Sequence, residues 1–473
     1  MTPENAAPSS KPQLQPWLGD TCSLVDSFRK GERSPVAELE ATLEAISASE
    51  LNAFSHLDAE RAREAARNAD TSLPFGGVPI AVKELDGVAG WPNTQASLVF
   101  KDRVWDFDRI EVARLRAAGA ILVGQTTSSE FGGLNISISR LHGITCNPWN
   151  TTKTTGGSSA GSSAAVAGGL LTIATGSDGG GSIRIPAGFT GLVGMKGTAG
   201  RIPRGPKTDI APMTIVLGCM ARSVADVARY YDVCNGFDRR DPYSLPRIEG
   251  WERDLGTHDL RGRKAVIAPD LGVATLHPEV RKIVTEAGEA LAHQAGLELI
   301  DIPVEFPGLS MEWVLANMAA LVAELGELYP GCEGDLTAEI AFGLELAAEH
   351  YGLKAAAAVE KHRTAANETM AEIFDQVDFV IGATNPDVAF PANVAFNYKV
   401  GDQVVDPGNN GALTIPANIC GNPAVSIPAG SVDGLPVGMQ VIGRHHQDAL
   451  LLDLALAVER SRPWPLVAPG APK

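Results

Sequence analysis

Two stretches of small residues carry hydroxyl groups where acyl-transfer chemistry would need them. One is TGGSSAGSSAAVA at 155–167, the other GSDGGGSIRIPA at 176–187. Glycine lacks a Cβ, so such stretches let backbone approach a ligand closely and adopt dihedrals that other residues avoid. Three glycines ahead of Ser182 can turn several backbone N–H groups toward one point. Such a nest is what a developing oxyanion needs, and a serine at its end would sit beside the carbonyl carbon it attacks. A hydroxyl is a weak nucleophile until something takes its proton. None of the nine histidines lies in a motif with either stretch. Upstream, the apolar run GVPIAV (77–82) ends in Lys83. A lysine held among apolar groups loses solvation, its charged form is disfavoured and its pKa falls. A neutral lysine with two serines, one of them a proton relay, is a chemically complete alternative to Ser-His-Asp.

Plainer readings stand beside these. Alone, Lys83 is a surface lysine at a strand end, and the Gly/Ser stretches are linkers. Linkers are seldom followed by apolar runs such as 164–171 and 191–195, which argues for packed structure. Residues 157–161, GSSAG, also fit the GxSxG elbow of α/β-hydrolases, with Ser159 as nucleophile and His445 as base. That elbow should follow an apolar strand, whereas PWNTTKTT (148–155) is polar. His445-His446 otherwise reads as a solvated loop.

The elements that must position these groups follow a repeating grammar. Ser34-Pro35 reads as an N-cap followed by proline at the first helical position, and Val36, Leu39, Leu43 and Ile46 continue with helical spacing. Residues 108–118 read as a helix with Asp108 and Glu111 placed as a capping box, ended by Gly119 and followed by the apolar strand 120–123. The same order recurs at 280–304: a helix stops at Gly296 and 297–304 runs on as a strand. Helices alternating with short strands predict α/β layers with a parallel or mixed sheet. From 311 to 376 the chain is rich in Ala, Glu and Leu and predicts helix only, either a subdomain or a lid. Strands resume at 378–381 and 437–442.

Composition narrows the class. The chain has 473 residues, 44% of them hydrophobic, which is enough for a sizeable core. Acidic residues outnumber basic ones 56 to 39, a formal charge of −17, which disfavours nucleic-acid and anionic-membrane partners. The opening MTPENAAPSSKPQLQPW has neither a basic region nor an apolar stretch, so no secretion leader is expected. Six cysteines are scattered without a CxxC pair, which predicts free thiols rather than disulfides or a zinc cluster. A cytoplasmic protein without cofactor or metal is the expectation.

Taken together, the segments resemble the amidase signature family of Ser–cis-Ser–Lys hydrolases. The matching stretches are GVPIAVKEL (77–85), GGSSAGSSAAVA (156–167), GSDGGGSIRIPAGFTGLVGMKGT (176–198) and the closing segment within 415–444. The resemblance is dense over about 75–205 and 413–460 and thin over 240–375, where members of the family diverge and set substrate choice. It implies an α/β fold with a mixed β-sheet core sandwiched between layers of α-helices. It implies one amidase domain over 16–473, with 311–376 a helical insertion or subdomain, and the Pro/Ser-rich residues 1–15 ahead of it read as a flexible arm.

By position, the resemblance makes Lys83 the base, Ser158 the relay held by a cis peptide, and Ser182 the nucleophile. The backbone of Gly179, Gly180, Gly181 and Ser182 becomes the oxyanion hole. Ser159 supports the lysine–serine network, and Asp178 and Arg184 brace the loop as an ion pair. Gly132 and Gly133 line the acyl pocket. Position and polarity add Ile210, Met213, Phe390 and Phe396 as an apolar substrate pocket. The chain departs from the family pattern at Ala160, at Gly179 in place of threonine, and at Gly197 in place of proline. The expected activity is hydrolysis of small or aryl amides, with esters and carbamates as further substrates, by a monomer or homodimer. The alternative is the glutaminase subunit of a tRNA-dependent amidotransferase.

Overall fold

The computed structural model describes residues 15–207, 214–308 and 311–473. Its centre is a mixed sheet of eleven strands. In chain order these are β1 (Phe54–Leu57), β2 (Pro79–Lys83), β3 (Ile121–Thr126), β4 (Ile173–Asp178), β5 (Val193–Lys196) and β6 (Val216–Ala221). They continue with β7 (Lys264–Ile267), β8 (Glu298–Leu299), β9 (Phe379–Ala383), β10 (Ala424–Val432) and β11 (Leu435–Gly443). Across the sheet the order is β1-β3-β2-β4-β6-β5-β10-β11-β9-β7-β8. The strands β3, β2 and β4 run parallel, as do β9, β7 and β8, and the middle is antiparallel.

Strand alternation shows how helices cover both faces. Leu217, Cys219 and Ala221 of β6 enter one core with Val224, Val227 and Ala228 of the helix Val224–Cys234. Met220, between them, enters the other core with Ala164 and Ala165 of the helix Ala160–Ala167. Period two in a strand sends neighbours to opposite faces, so each strand needs a partner layer on both sides. β10 and β11 form a hairpin through Asp433-Gly434, both at positive φ, the conformation that a two-residue turn of this hand requires.

The helix predicted from Ser34 is present as Pro35–Ala48, and Ser34 Oγ accepts from Ala37 N at 3.1 Å. Gly296 ends Pro278–Ala295 at φ +67, as its position implied. Three local readings need correction. The helix expected at 108–118 spans Ile110–Ala117 without a side-chain cap. Asp108 instead accepts from Ala89 N at 2.9 Å, and Glu111 is buried and takes the Tyr230 hydroxyl, so tertiary partners outbid the capping box. The strand expected over 297–304 pairs only at Glu298–Leu299, at one edge of the sheet. The helical block divides in two. Met311–Leu325 and Ala338–His350 build their own cluster with Phe100, whereas Leu353–Gln376 sends Ala366, Met370, Ile373 and Phe374 into the main core. Residues 1–14 of the expected arm lie outside the described residues.

Candidate active site

Lys83 is the last residue of β2, and Ser177 and Asp178 end the neighbouring parallel strand β4. Adjacent parallel strands therefore deliver a lysine and a glycine loop to the same edge, where open α/β sheets place their ligands. The burial is complete: Lys83 is 0% exposed. Its Nζ lies 2.8 Å from Ser158 Oγ and 3.0 Å from Ser177 Oγ. Its backbone N–H donates to Thr175 Oγ1 at 2.9 Å. Burial drives the Lys83 pKa down to about 8, against the pull of Asp86, Asp178 and Glu84.

Ser158 comes from a separate segment, ahead of the helix Ala160–Ala167. The Gly157–Ser158 peptide is cis, and the helix Ala160–Ala167 starts two residues later. The small residues here serve the fold more than a ligand. A Cβ on Gly157 would lie 2.0 Å from Ile136 O, and one on Gly161 would lie 2.2 Å from Ala53 O and 2.4 Å from Thr127 N. The expectation of backbone close to a ligand becomes backbone close to backbone. Ser162 Oγ donates to Thr175 O at 2.8 Å, which ties this helix to β4.

Ser182 is 5% exposed. Ser159 N donates to Ser182 O at 3.3 Å, joining the two serine segments. Among the described residues no hydrogen bond joins the hydroxyls of Ser158 and Ser182. Such links often tighten only once a substrate is bound. The loop is braced by Asp178, whose carboxylate accepts from Gly181 N at 2.7 Å and from Arg184 Nε and Nη2, both at 3.0 Å. Burial pushes the Asp178 carboxyl upward, but Arg184, Asn418 and Lys196 pull it further the other way, well below the usual carboxylate range. Gly181 is therefore a correction: its N–H is committed to Asp178 rather than to the nest. The N–H groups of Gly179, Gly180 and Ser182 donate to nothing among the described residues.

Ser159 is fully buried, with Oγ 3.4 Å from Ser177 O. His445 Nε2 meets Cys420 O at 2.7 Å. Neither group faces the other, so the elbow reading has no base. Gly132 sits beside the site: a Cβ there would lie 3.3 Å from Ser158 Oγ. Gly133 is turned toward Ile340 instead. Phe390, expected in a pocket, is core, stacked edge-on against Phe189 at 6.0 Å with Ile136 and Ile185. Phe396 is half-buried against Tyr398. Ile210 and Met213 lie outside the described residues.

Four contributors were missed from the sequence. Thr175 and Ser177 share one face of β4 by period two, and that spacing could have flagged them. Asn418 and Thr414 come from the 415–444 region and its edge, 234 or more residues away from the loop they hold. Asn418 Nδ2 donates to Asp178 Oδ1 at 2.8 Å, and Thr414 Oγ1 donates to Gly180 O at 2.7 Å. No local pattern announces them.

A buried lysine facing serine hydroxyls at the carboxyl edge of a mixed, helix-covered sheet defines an α/β protein of the lysine–serine kind. The chain belongs to the amidase family, whose model matches residues 37–452. It is 35% identical to a glutamyl-tRNA(Gln) amidotransferase subunit, of the A type, from Symbiobacterium thermophilum, over 92% of this chain and 94% of that protein. It is 31% identical to an acylamidase of Rhodococcus erythropolis, covering 95% of this chain and 96% of that protein. Among solved structures it resembles a bacterial aryl acylamidase of the amidase signature family, with TM-score 0.86 and 27% identity over 94% and 97% of the two chains. A 6-aminohexanoate cyclic dimer hydrolase gives TM-score 0.85 and 27% identity over 96% and 99%. The protein is a serine amidohydrolase of the amidase signature type. Among the described residues no helix is long and apolar enough to cross a membrane.

Proposed function

We propose that the chain hydrolyses small and aryl amides through an acyl-enzyme on Ser182, with Lys83 as base and Ser158 as relay. The observation that carries this reading is the fully buried Lys83 Nζ at 2.8 Å from Ser158 Oγ. Neutral Lys83 takes the Ser158 proton while Ser158 takes that of Ser182, and Ser182 Oγ bonds to the amide carbon. The N–H groups of Gly179, Gly180 and Ser182 hold the oxyanion. As the C–N bond breaks, the proton returns through Ser158 to the leaving nitrogen. Water then adds to the acyl-enzyme by the same route and releases the acid. Aryl esters and carbamates present the same carbonyl and are further substrates. The natural form is a monomer or homodimer in the cytoplasm, without cofactor or nucleic acid.

A second reading is a glutaminase subunit of a tRNA-dependent amidotransferase, favoured by the names of relatives at 35% and 33% identity. One panel separates the two: an anilide, an aryl ester, an aryl carbamate and glutamine, with Ser182→Ala as control. Anilide turnover that the control loses supports the first reading. Glutamine as the preferred substrate, or stable partner subunits on purification, favours the second. Fluorophosphonate labelling that survives Ser182→Ala overturns the assignment of the nucleophile.

A further inference from the structure

The turn at 131–133 is gripped from two directions. On one side Gly132, at φ +67, presses against Ser158: a Cβ there would meet Leu85 Cδ1 at 2.9 Å and Ser158 Oγ at 3.3 Å. On the other side a Cβ on Gly133 would lie 2.8 Å from Ile340 Cδ1, on the helix Ala338–His350. Between helix and hydroxyl there is one layer of backbone. That layer is held in an unfavoured shape. Phe131 has φ +54, a conformation uncommon for a bulky residue, which persists only when neighbours enforce it. Its N–H donates to Gln95 O at 2.8 Å, and its ring meets Phe100 edge-on at 5.6 Å.

The residue just before the turn ties it to two other segments. Glu130 is buried, and its carboxylate joins three elements. Oε1 accepts from Ser97 Oγ at 2.6 Å. Oε2 accepts from Thr337 N at 2.8 Å and Thr337 Oγ1 at 2.7 Å. Thr337 is the N-cap residue of Ala338–His350 and spends its own side chain on Glu130 rather than on that helix. A carboxylate is well placed there, because the first N–H groups of a helix lack partners and the helix end is positive. Arg140 reinforces the junction by donating to Leu336 O at 2.9 Å.

We propose that Glu130 is a positioning residue. It fastens the helix Ala338–His350 to the 131–133 turn, so the turn stands as a fixed wall beside Ser158 and limits the bulk of the substrate group lying against it. The proposal rests on the Lys83–Ser158–Ser182 reading and deepens it. With Glu130 unlatched, the turn relaxes away from Ser158. Bulky substrates then gain relative to small ones, and the loss for small ones falls mainly on KM, since Lys83 and the two serines are untouched.

The test compares kcat and KM for an acetanilide and a ring-substituted benzanilide in the full-length protein. Glu130→Ala is expected to raise the large-to-small ratio of kcat/KM at least fivefold. Glu130→Gln keeps an acceptor for Thr337 and is expected to return the ratio to within about twofold of the parent. Thr337→Val removes one donor without touching the turn and decides the matter where Glu130→Ala does not fold; a shift of twofold or more in the same direction is expected. Folded variants that keep the parental ratio overturn the proposal, as does a glutamine variant no better than alanine. Fluorophosphonate labelling in parallel separates the two layers. Labelling that no longer depends on Ser182 sinks the underlying site, whereas Ser182-dependent labelling with an unchanged ratio sinks only the role of Glu130.

Discussion

Asp178 and Arg184 clasp each other across Ser182, with Nε to Oδ2 and Nη2 to Oδ1 both at 3.0 Å and neither side chain reaching solvent. Arg184 also donates to Gln440 Oε1 at 3.1 Å and to Thr414 O at 2.9 Å. The pair thus fastens the glycine loop to the closing segment of the chain. Arg184→Met leaves a buried carboxylate without its cation and is expected to cost about 3–5 kcal/mol. Urea denaturation at pH 7 measures it, and a loss near zero contradicts the brace. The sign with pH follows from the depressed Asp178 pKa. Its stabilisation is present above the unfolded value of about 4 and is lost as pH falls through the lower folded value. Arg184→Met is expected to flatten that acid-side loss.

Burial lowers the Lys83 pKa to about 8 in the folded protein, against about 10.4 unfolded. The base is active when neutral, so the rate of Ser182 labelling is expected to rise with pH to a plateau above about 8. Among the described residues Lys196, pushed down to about 7, donates only to the carbonyls of Asn422 and Gly197, so Lys196→Met should leave that midpoint in place. Lys83→Met should lower kcat by about 10²–10⁴, the usual contribution of a positioned base. It should also be at least as stable as the parent at pH 7. In the parent, folding into a site that disfavours the ammonium costs stability below the folded pKa, and the cost fades as pH rises toward the unfolded value. A labelling rate flat between pH 6 and 9 removes Lys83 from the role.

Gly161 has no space for a side chain, since its Cβ would collide with backbone at 2.2 and 2.4 Å. Gly161→Ala is expected to lose about 1–3 kcal/mol or more through overpacking. Because the helix Ala160–Ala167 begins beside Ser158, labelling should slow as well. Denaturation and labelling of one preparation check both, and a variant with parental stability refutes the packing account.

Phe390 and Phe396 separate core from pocket. Phe390→Ala should cost about 3–5 kcal/mol, as for a buried aromatic. Phe396→Ala should cost far less, because its ring keeps partial solvent access. Thermal denaturation of the two variants tests the ranking, and equal losses contradict it.

The class of chemistry, a serine amidohydrolase of the amidase signature type, is legible in the residues themselves. Lys83 and Ser182 stand out through the apolar run before the lysine and the glycines before the serine, whereas Ser158 is singled out only by the resemblance to the amidase signature family. The helix from Pro35 and its Ser34 cap were legible because capping is local. The Asp108–Glu111 box was equally local and misled, since Ala89 and Tyr230 offered those carboxylates better partners from elsewhere. Gly181 illustrates the same limit. Its place in the glycine run suggested an oxyanion donor, but an N–H points where the backbone turns, and here it turns to Asp178. Phe390 shows a further limit, because polarity cannot tell a pocket wall from a core and its ring packs against Phe189.

By itself the sequence determined which groups are chemically competent, because side-chain type, helix capping and strand period act over a few residues. Only the tertiary structure decided which of them meet. Lys83 and Ser158 are 75 positions apart and Asn418 lies 240 from Asp178. Their distances come from the parallel pairing of β2 with β4 and from the closing segment packing over the glycine loop. Burial decides the rest: a lysine loses its affinity for a proton only when the whole fold has removed the water around it.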